Sequence, residues 1–569
     1  MVIDFFGNCP FLIKGVVSMF NDKRKMFFVI LLAALVCAYI LPLGGHPLMD
    51  PDEGRYSEIP REMVESGDYV TPKLNYVKYF EKPVFLYWAN AAAFKAFGEN
   101  EFALRITVAL CALLGVLASA LLAGYMYGKL AGWFAAVVCG SSFLYFAIGT
   151  LNITDMPLSF FLTLAMAAFY VAQKEDCKRF YLLFYAACAL AVLTKGLVGV
   201  VLPGGIILVY ILVTRKWRLF YKPLYVPAIV LFFVITVPWF WLVCRANPDF
   251  FRFFFIQEHF QRYLTKMHDR YEPFWFFIPM VIAGVLPWTA FLPGFFSRKS
   301  VLRSPKDCEQ RDANRYLVIW FAVIFLFFSA SDSKLIPYIV PCIPPLAILI
   351  AAELDRMVSD GEAHGRPALA LALTSGLFGI ALVVYPFTGG YVTWCEAWKA
   401  VLSAAPALIL MPIIALRRFK KGGDVFRGVC ALMLCSVIFI CGIQQVYGII
   451  APTRSLKDSA AVVNAVRRDG DVVVTWGEVL QGLSFYTKQR AMVVGGEGEL
   501  AYGAAQPEGK GWFVSREEFK ELWKKGGRYI VVLEDKHGDR VKEVLYPEDL
   551  AEAKVVRVNK YTVLYREVR

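Results

Sequence analysis

Apolar runs long enough to cross a lipid bilayer recur along this chain and constrain its fold more than any other feature. Four of them are Met26–Ile40, Ile106–Ala123, Ala131–Ile148 and Pro223–Cys244. A helix needs about 20 apolar residues to span the hydrocarbon core of a membrane. The runs are continuously apolar, whereas the strands of a membrane β-barrel alternate apolar and polar residues. The sequence therefore predicts a polytopic α-helical membrane protein and excludes a cytosolic enzyme, a secreted enzyme and a disordered chain.

Positively charged residues between the apolar runs predict how the chain is threaded through the membrane. Short loops that carry Lys and Arg are retained on the cytoplasmic side. Placing all such clusters inside gives about thirteen transmembrane helices, with the N-terminus inside and the C-terminus outside. The clusters lie at 23–25, 174–179, 215–222, 298–315 and 417–421. The predicted spans lie near 26–46, 102–125, 131–149, 156–173, 179–194, 197–213, 223–244, 273–296, 315–331, 335–354, 367–388, 398–416 and 427–449.

The segment 83–97 is apolar but is not predicted to cross the membrane. It is short and is interrupted by Asn90 and Lys95. A crossing at this point would also place the later basic loops outside, against the positive-inside rule. We interpret the segment as a helix that lies at, or dips into, the outer interface.

The chain divides into three parts by composition. Residues 1–25 form a cytoplasmic segment, and residues 26–450 form the transmembrane domain with long outer loops at 47–101 and 245–272. Residues 451–569 have the composition of a soluble protein, with strand-like runs that alternate with helical stretches. They predict a small α/β domain outside the membrane, on its outer side. The predicted strands are Asp471–Trp476, Ala491–Val494, Gly511–Val514, Arg528–Leu533 and Tyr561–Tyr565.

Carboxylates and cations from separate spans are predicted to meet at the outer face. Asp52 and Arg55 follow the first span, Lys82 lies where the same loop re-enters the interface, and Asp155 and Lys195 lie at the outer ends of later spans. Charged groups at a membrane boundary are costly unless they are paired or solvated, and they often mark functional sites. A capping acid in a solvated loop is the alternative for a single Asp, but it does not account for the convergence.

This combination of charges suits a phosphate group on a lipid tail. Arg binds phosphate through two parallel hydrogen bonds, and Lys binds it as a point charge. Transfer of a sugar from a polyprenyl phosphate has an oxocarbenium-like transition state and a phosphate leaving group. Because that leaving group is already a stable anion, it needs cations and not the general acid of a glycosidase. A carboxylate can position or activate the acceptor.

Two spaced motifs carry a resemblance to known enzymes. The first comprises Asp50–Ile59, Arg61–Met63 and Tyr79–Pro83, and the second is Ser331–Tyr338, followed by two prolines. Together they resemble the membrane glycosyltransferases of GT-C type, most closely the bacterial aminoarabinose lipid A transferases within the protein O-mannosyltransferase-like superfamily. The resemblance implies transfer of 4-amino-4-deoxy-L-arabinose from undecaprenyl phosphate to a lipid A phosphate at the periplasmic face.

The resemblance also implies roles for individual residues. Asp52 is expected to act on the acceptor and Asp155 to lie near the sugar or the acceptor. Since a lipid A phosphate is already ionised, Asp52 is expected to position the acceptor or to pair with the ammonium group of the sugar. A divalent metal, Zn or Mg, is expected near Glu81 and His259. The alternative to a metal site is an ion pair between charged residues of the 245–272 loop. The donor phosphate is expected to be bound by Arg55, Tyr56, Lys82, Lys195, Arg262 and Tyr338.

Other functions remain as alternatives. A protein O-mannosyltransferase-like enzyme, or one that acts on another glycan, would use the same donor chemistry. A flippase or transporter would place its polar residues near the bilayer midplane, often within internal repeats. Here the ionisable residues lie at the outer ends of spans, and no repeated half is visible. A receptor or scaffold would bind its partner through the outer domain. The basic loops are explained by topology, so no nucleic acid partner is expected, and no phosphate-binding loop or dinucleotide fingerprint indicates a nucleotide cofactor.

Overall fold

The computed structural model describes residues 23–261, 272–364, 366–384, 394–420, 423–535 and 539–566. A bundle of apolar helices is followed by an α/β domain, as the composition predicts. The helices of the bundle and its outer loops are α1 (Lys23–Ile40), α2 (Asp52–Ser66), α3 (Phe85–Phe97), α4 (Glu101–Tyr127), α5 (Lys129–Gly140), α6 (Phe143–Ile148), α7 (Asp155–Glu175), α8 (Lys178–Lys195), α9 (Val198–Thr214), α10 (Val226–Ala246), α11 (Phe277–Gly284), α12 (Cys308–Ala330), α13 (Ile343–Asp360), α14 (Pro367–Val384), α15 (Trp394–Arg418) and α16 (Val425–Arg454). Tighter 3-10 turns cover Trp217–Phe220, Phe274–Phe276, Trp288–Phe296 and Ile336–Cys342, and a π-helix covers Arg252–Gln261.

Each of the thirteen predicted spans coincides with a helix or a pair of helices. Eight of the described helices are long and apolar enough to cross a membrane: α4, α7, α10, α12, the continuous unit Ile336–Asp360, α14, α15 and α16. The other predicted spans correspond to α1, the α5–α6 pair, α8, α9 and the pair Phe274–Gly284 and Trp288–Phe296. Of these, α5 and α9 have 12 and 17 residues, and α1 and α8 carry basic residues at their ends.

Two predicted spans are interrupted where the sequence pattern indicated single helices. The pair that covers 273–296 turns by 114°. Pro287 lies at this turn, and a proline removes a helical N–H and clashes with the preceding turn. In the 131–149 span, α5 ends before Ser141 and Ser142, whose hydroxyls donate to the carbonyls of Val137 and Val138 at 2.5 and 2.6 Å. Such bonds to the preceding turn are known to bend helices.

The outer loop between α1 and α4 is ordered around two helices and a hairpin. Helix α3 has 13 residues, about 20 Å at 1.5 Å per residue, which is shorter than the hydrocarbon core of about 30 Å. Strands β1 (Lys73–Leu74) and β2 (Val77–Lys78) pair antiparallel. The turn between them places Asn75 and Tyr76 at φ values of 55° and 61°, the left-handed region that Asn tolerates better than most residues.

The C-terminal domain is a mixed sheet covered by short helices. Its strand order is β5-β4-β3-β6-β8-β7, in which β3 to β6 are parallel and β8 is antiparallel to both of its neighbours. All five predicted strands are present, whereas β7 was not predicted. The strands are β3 (Val472–Trp476), β4 (Ala491–Val494), β5 (Phe513–Val514), β6 (Tyr529–Glu534), β7 (Ala553–Val558) and β8 (Tyr561–Arg566). The helices are α17 (Lys457–Val466), α18 (Gln481–Thr487), α19 (Ala501–Ala504), α20 (Arg516–Lys524), α21 (Val541–Val544) and α22 (Pro547–Ala551), and 3-10 turns cover Gly498–Leu500 and Pro507–Gly509.

The C-terminal domain packs directly on the outer loop of the bundle. The carboxylate of Asp50 accepts a hydrogen bond from the backbone N–H of Gly482 at 2.7 Å. The amide of Asn75 exchanges two hydrogen bonds with the backbone of Ala491 at 2.7 and 2.8 Å. Leu500 is fully buried among the hydrophobic residues of the bundle. These contacts fix the domain against the loop that carries the first motif.

Candidate active site

A polar pocket opens where the outer loop, the ends of the bundle helices and the C-terminal domain meet. Both sequence motifs contribute to it, together with the ends of two helices. It is lined by Asp52, Arg55, Tyr56, Glu81, Lys82, Ile153, Thr154, Asp155, Lys195, Leu335, Pro337, Tyr338 and Glu499. The convergence of charges that the span boundaries predict is therefore present in the fold.

Helix α2 brings the first motif to the pocket. Asp52 begins the helix, and an acid in the first turn interacts favourably with the helix dipole. Arg55 lies one turn further on, so both side chains are on the same face. Arg55 is nearly buried, with 7% of its side chain exposed, whereas Asp52 is 57% exposed. The two groups form an ion pair, and the guanidinium of Arg55 also lies 5.1 Å from the ring centre of Tyr56.

A buried ion pair holds α2 in place. The carboxylate of Glu53 accepts two hydrogen bonds from the guanidinium of Arg105 in α4, at 2.7 and 2.8 Å. It also accepts from the backbone N–H groups of Asn152 and Met49 at 2.9 and 3.0 Å. Burial acts to raise the pKa of Glu53, but these donors outweigh it and the pKa lies below its ordinary value. Glu53 is thus a charged anchor that positions its neighbour Asp52.

Asp155 and Lys195 meet because of their places on two adjacent helices. Asp155 is the first residue of α7, and Lys195 is the last residue of α8. The helices follow one another in the chain and run antiparallel, so these ends lie together at the outer side. The ammonium of Lys195 lies 2.5 Å from a carboxylate oxygen of Asp155. It also lies 4.4 Å from the ring centre of Tyr338, a cation–π contact.

The second motif places Tyr338 through the residues that precede it. The ammonium of Lys334 donates to the carbonyl of Ser331 at 2.5 Å and to the carbonyl of Glu272 at 2.8 Å. The carbonyl of Ser331 lies at the end of α12, where helix ends leave such groups unpaired, and that of Glu272 precedes the turn Phe274–Phe276. Lys334 is 5% exposed and does not line the pocket. Its role is to hold the turn that carries Tyr338.

Glu81 and Lys82 form a third pair of opposite charges in the pocket. Their charged atoms lie 3.8 Å apart, and the side chains are 8% and 16% exposed. Pro83 follows them and precedes α3, where a proline suits the start of a helix. Tyr56 is buried, and its ring stacks on that of Tyr87. Burial raises the pKa of Tyr56 well above its ordinary range, so its hydroxyl is a neutral hydrogen-bonding group.

The C-terminal domain contributes Glu499 to the pocket, which the sequence analysis did not predict. Its carboxylate pairs with Arg55, which thereby contacts two acids, Asp52 and Glu499. The closeness of Glu499 to α2 depends on how the two domains pack. The acidic, glycine-rich run 495–499 in an otherwise regular α/β pattern is the signal that could have drawn attention to it.

The pocket has the charges to bind an anion beside a second polar group. Among the described residues, its lining holds three cations, Arg55, Lys82 and Lys195, and four carboxylates. Charge-assisted hydrogen bonds of this kind are roughly twice as strong as neutral ones. The cations can bind a phosphate, while the carboxylates can orient a sugar or an acceptor. Lys195 and Arg55 are mostly enclosed, so their charges are less screened than those of surface groups.

Eight of the ten predicted site residues line this one pocket, and the roles assigned to them stay predictions. The other two are Arg262, which lies outside the described residues, and His259, whose side chain does. Glu81, the other predicted metal ligand, is in the pocket. Within the described part of the chain, no group of three or more His, Cys, Asp and Glu side chains has the arrangement of a metal site. The side chains that can be placed therefore do not form a metal site by themselves.

Two family models match the chain, one in each part of the fold. Residues 25–254 match the model of dolichyl-phosphate-mannose-protein mannosyltransferases. Residues 460–564 match the aminoarabinose transferase C-terminal domain. The first match includes α2 and the ends of α7 and α8, and the second includes Glu499. The pocket is thus built from both matched regions.

Full-length relatives and a solved structure share this organisation. The undecaprenyl phosphate-alpha-4-amino-4-deoxy-L-arabinose arabinosyl transferase of Aeromonas salmonicida is 30% identical over 88% of this chain and 92% of its own. Transferase 1 of the same name from Proteus mirabilis is 34% identical over 88% and 90%. The crystal structure of ArnT from Cupriavidus metallidurans bound to undecaprenyl phosphate is 30% identical, with a TM-score of 0.83 over 95% of this chain and 98% of that one. This chain therefore belongs to the undecaprenyl phosphate-alpha-4-amino-4-deoxy-L-arabinose arabinosyl transferase family, multi-pass inner-membrane glycosyltransferases with a GT-C fold.

Proposed function

We propose that this chain transfers 4-amino-4-deoxy-L-arabinose from undecaprenyl phosphate to a phosphate group of lipid A at the periplasmic face of the inner membrane. The observation that carries the proposal is the pocket in which three cations and four carboxylates meet at the outer end of an apolar bundle. Family membership supports the donor, since the relatives are named for it. The chemistry of the pocket supports an anionic acceptor.

The proposed reaction exchanges one phosphate for another at a single carbon. The bond between C1 of the sugar and the phosphate oxygen of the donor breaks, and a bond forms between C1 and an oxygen of the acceptor phosphate. The electron pair of the broken bond leaves on undecaprenyl phosphate, which gains one negative charge, while the acceptor phosphate loses one. No net proton is released. The transition state has oxocarbenium character at C1.

The cations of the pocket stabilise the leaving group. Undecaprenyl phosphate becomes more negative as the bond breaks, and Arg55, Lys82 and Lys195 supply fixed positive charge beside it. Preorganised charge of this kind is commonly the largest contribution to an enzymatic rate. Tyr338 lies against Lys195 at 4.4 Å and limits where that ammonium can move. Tyr56 supplies a neutral hydroxyl for a phosphate oxygen.

Asp52 and Asp155 act on the sugar and the acceptor. An ionised acceptor phosphate needs no general base, so Asp52 does not remove a proton. It positions the acceptor through Arg55, with which it forms an ion pair. Its 57% exposure places it at the open side of the pocket, where an acceptor enters. Asp155 is 11% exposed and paired with Lys195, which suits a group that orients the sugar close to the leaving phosphate.

The divalent metal at Glu81 and His259 stays a prediction. A metal held there would add positive charge beside the donor phosphate, and no step above depends on it. Incubation of the purified chain with a chelator, followed by addition of Zn or Mg, tests the prediction. Loss of transfer that either metal restores is the expected result, and turnover unchanged by complete chelation contradicts it. The variant His259→Ala should reproduce the effect of chelation.

The function is tested by the composition of lipid A in cells. The host is a strain that makes the aminoarabinose donor but lacks its own transferase, and it expresses either this chain or the variant Asp52→Asn. Mass spectrometry of lipid A should show an added aminoarabinose with the native chain only. The exposed residue Asp469, in the C-terminal domain, provides the control, because Asp469→Asn makes the same chemical change away from the pocket.

Two results would contradict parts of this proposal. Unmodified lipid A, with the chain well expressed in the membrane, excludes this sugar and acceptor together and favours another sugar, or a protein or glycan acceptor. Lipid A modified equally by the native chain and Asp52→Asn removes Asp52 from the reaction. Asp155→Asn is then the variant that should abolish transfer.

We also propose that the N-terminus is cytoplasmic and the C-terminal domain periplasmic. The basic loops support this orientation through the positive-inside rule. The position of the pocket supports it as well, because the C-terminal domain and the outer ends of α7 and α8 line the pocket together. The basic loops, the outer ends of α7 and α8, and the pocket agree only if the C-terminal domain lies on the side of the membrane opposite the basic loops.

A further inference from the structure

A second group of positive charges lies at the carboxyl ends of the parallel strands in the C-terminal domain. In open α/β sheets, ligands bind in the crevice outside these ends, at the point where the strand order reverses. Here that point lies between β3 and β6, because β4 and β5 extend the sheet on one side of β3 and β6 lies on the other. Arg516 begins α20, which follows β5, and Arg540 precedes α21, which follows β6. The two arginines therefore come from opposite sides of this crevice, and neither lines the pocket.

The two guanidinium groups converge over Gly477, which follows β3. A Cβ at this glycine would lie 2.5 Å from Nη2 of Arg540 and 4.0 Å from Nη2 of Arg516. Gly495 follows β4, and a Cβ there would lie 3.0 Å from Nε of Arg516. The two glycines have φ values of 79° and 69°, which glycine adopts without steric cost. Because both positions lack a side chain, two positive charges can approach each other at the point where the strand order reverses.

The contacts of the two arginines hold them in place for an external anion. Nη1 of Arg540 donates to the backbone carbonyl of Glu534 at 2.7 Å, which is a neutral acceptor. Nη1 of Arg516 lies 3.8 Å from the carboxylate of Glu543, and the two side chains are 44% and 50% exposed. An ion pair this exposed contributes little free energy, so a phosphate can compete with Glu543 for Arg516. The guanidinium of Arg516 also lies 5.6 Å from the ring centre of Trp476, which is fully buried.

We propose that Arg516 and Arg540 bind a second phosphate group of the acceptor lipid while its first phosphate receives the sugar in the pocket. This inference rests on the proposed function and deepens it, because lipid A is a disaccharide with a phosphate at each end. A phosphate monoester carries a charge of about −1.5 to −2 at pH 7, which two guanidinium groups match. Arginine also binds phosphate through two parallel hydrogen bonds.

The crevice lies close enough to the pocket for one lipid headgroup to reach both. Gly495 lies against the side chain of Arg516, and Glu499, four residues later, lines the pocket. Four residues of chain span at most about 14 Å. On the other side of the crevice, Val479 lies two residues after Gly477 and packs against the hydrophobic cluster of the bundle. The crevice therefore faces the bundle, from which a lipid acceptor approaches.

The experiment compares acceptors with the full-length chain in nanodiscs of phosphatidylcholine. The donor is aminoarabinose on undecaprenyl phosphate, and the acceptors are lipid A with both phosphates and the two forms that each retain one. We expect the native chain to prefer the bisphosphorylated acceptor at least tenfold in kcat/KM, mainly through a lower KM. Arg516→Gln combined with Arg540→Gln should reduce this preference to less than threefold, since a second reactive phosphate alone gives a factor of two. Lysine at both positions should keep part of the preference, because it retains the charge.

A matched pair of substitutions removes two charges elsewhere in the same domain. Arg468 follows α17, and Arg557 lies in β7 at the edge of the sheet, and both are exposed. Arg468→Gln combined with Arg557→Gln should leave the preference at its native value. Arg516→Gln alone changes only an exposed side chain and should lower the preference at least threefold, which keeps the test valid if the double variant does not fold.

The possible results separate this inference from the function on which it rests. If the native chain transfers the sugar but does not prefer the bisphosphorylated acceptor, or if the double and single variants keep its preference, the crevice does not bind the acceptor. Equal losses with all three acceptors would assign the arginines to the stability of the domain. Inhibition by added phosphatidylglycerol that the double variant abolishes would assign the crevice to the headgroups of membrane lipids. If the native chain transfers sugar to none of the acceptors, the proposed function fails and the inference fails with it.

Discussion

Each cation of the pocket lies against a carboxylate, and this pairing sets the energetics of single residues. Arg55 contacts two acids, Lys195 lies 2.5 Å from Asp155, and Lys82 lies 3.8 Å from Glu81. Breaking a buried ion pair costs about 3–5 kcal/mol, because one charge is left buried without its partner. The carboxylates therefore keep the cations charged and in place, while a donor phosphate competes with them for the same groups.

Substitution of Lys82 tests directly whether this residue binds the donor phosphate. We expect Lys82→Ala to weaken binding of undecaprenyl phosphate by about 1.5–3 kcal/mol, the range for a hydrogen bond to a charged group. Titration of the lipid into the purified chain in nanodiscs measures this. The exposed Lys510 lies outside the pocket, so Lys510→Ala should leave the affinity unchanged. An unchanged affinity for Lys82→Ala would remove Lys82 from the phosphate site.

The sequence predicted most pocket residues, because they lie either at the end of an apolar run or within one of the two motifs. Asp155 and Lys195 end apolar runs, and their meeting follows from two adjacent antiparallel helices. Asp52 and Tyr338 belong to the motifs that carry the family resemblance. Glu499 could not be predicted in this way, since no periodicity or span boundary reports the packing of one domain on another. Single site residues can be predicted from a sequence where they lie at the end of a membrane-spanning helix.

At the scale of elements, helix α2 depends on a buried ion pair that does not itself line the pocket. Glu53 and Arg105 are almost completely buried, and Arg105 also donates to the carbonyls of Leu43, His46 and Pro47. This one guanidinium thus connects α4, the end of the first span and the start of α2. Any shift of the pair moves the helix that carries Asp52 and Arg55.

Removal of this guanidinium should destabilise the whole outer loop. We expect Arg105→Met to lower the free energy of unfolding by about 3–5 kcal/mol, because it leaves the carboxylate of Glu53 buried without its partner. Thermal unfolding of the purified chain in detergent measures the change. The exposed pair of Lys299 and Glu362 supplies the comparison, since Lys299→Met should cost about 1 kcal/mol or less. Equal effects of the two substitutions would show that the Arg105 pair is not an anchor.

Elements were predicted well where one physical rule decides them. Hydropathy located all thirteen helical segments, and short runs rich in β-branched and aromatic residues located β3, β4, β5, β6 and β8. It did not predict the 114° bend in 273–296, because a proline in an apolar run can kink a helix or end it. Strand β7 was also missed, since it lies at the sheet edge and its residues alternate between intermediate and exposed with little apolar pattern.

At the scale of the whole molecule, the contact between Asp50 and Gly482 joins the two domains. Helix α2 and α18 approach closely, and a side chain at Gly54 would come within 2.5 Å of the backbone nitrogen of Gly482. Burial raises the pKa of Asp50 from 3.8 to about 7, although the N–H of Gly482 and the charge of Lys560 lower it. The domain contact therefore contains a carboxyl group that holds its proton at mildly acidic pH.

This raised pKa predicts a specific dependence of stability on pH. The folded protein binds a proton that the unfolded chain has released, so stability falls as the pH rises from 3.8 to about 7. We expect the Tm of the native chain to fall over this window relative to that of Asp50→Asn, which cannot ionise. Thermal unfolding of both chains at several pH values measures the difference. Asp469→Asn should keep the native slope, and a native slope in Asp50→Asn would contradict the assignment.

The proposed orientation can be tested with the same exposed position. A variant that has Asp469→Cys in a background without its native cysteines should react with a membrane-impermeant maleimide in intact spheroplasts. The reason is that residue 469 lies on the surface of the C-terminal domain, which we place in the periplasm. A cysteine in the basic loop at 298–315 should react only after the membrane is permeabilised. The opposite pattern of labelling would reverse the orientation.

The order of strands in the C-terminal sheet has a consequence for how the enzyme is made. Strand β8 is the last in sequence, yet it lies between β6 and β7. The sheet therefore stays open until the ribosome has passed residue 566, and the loop that carries Glu499 has no complete domain behind it until then. The pocket, to which this domain contributes Glu499, is therefore completed only after β8 has been synthesised.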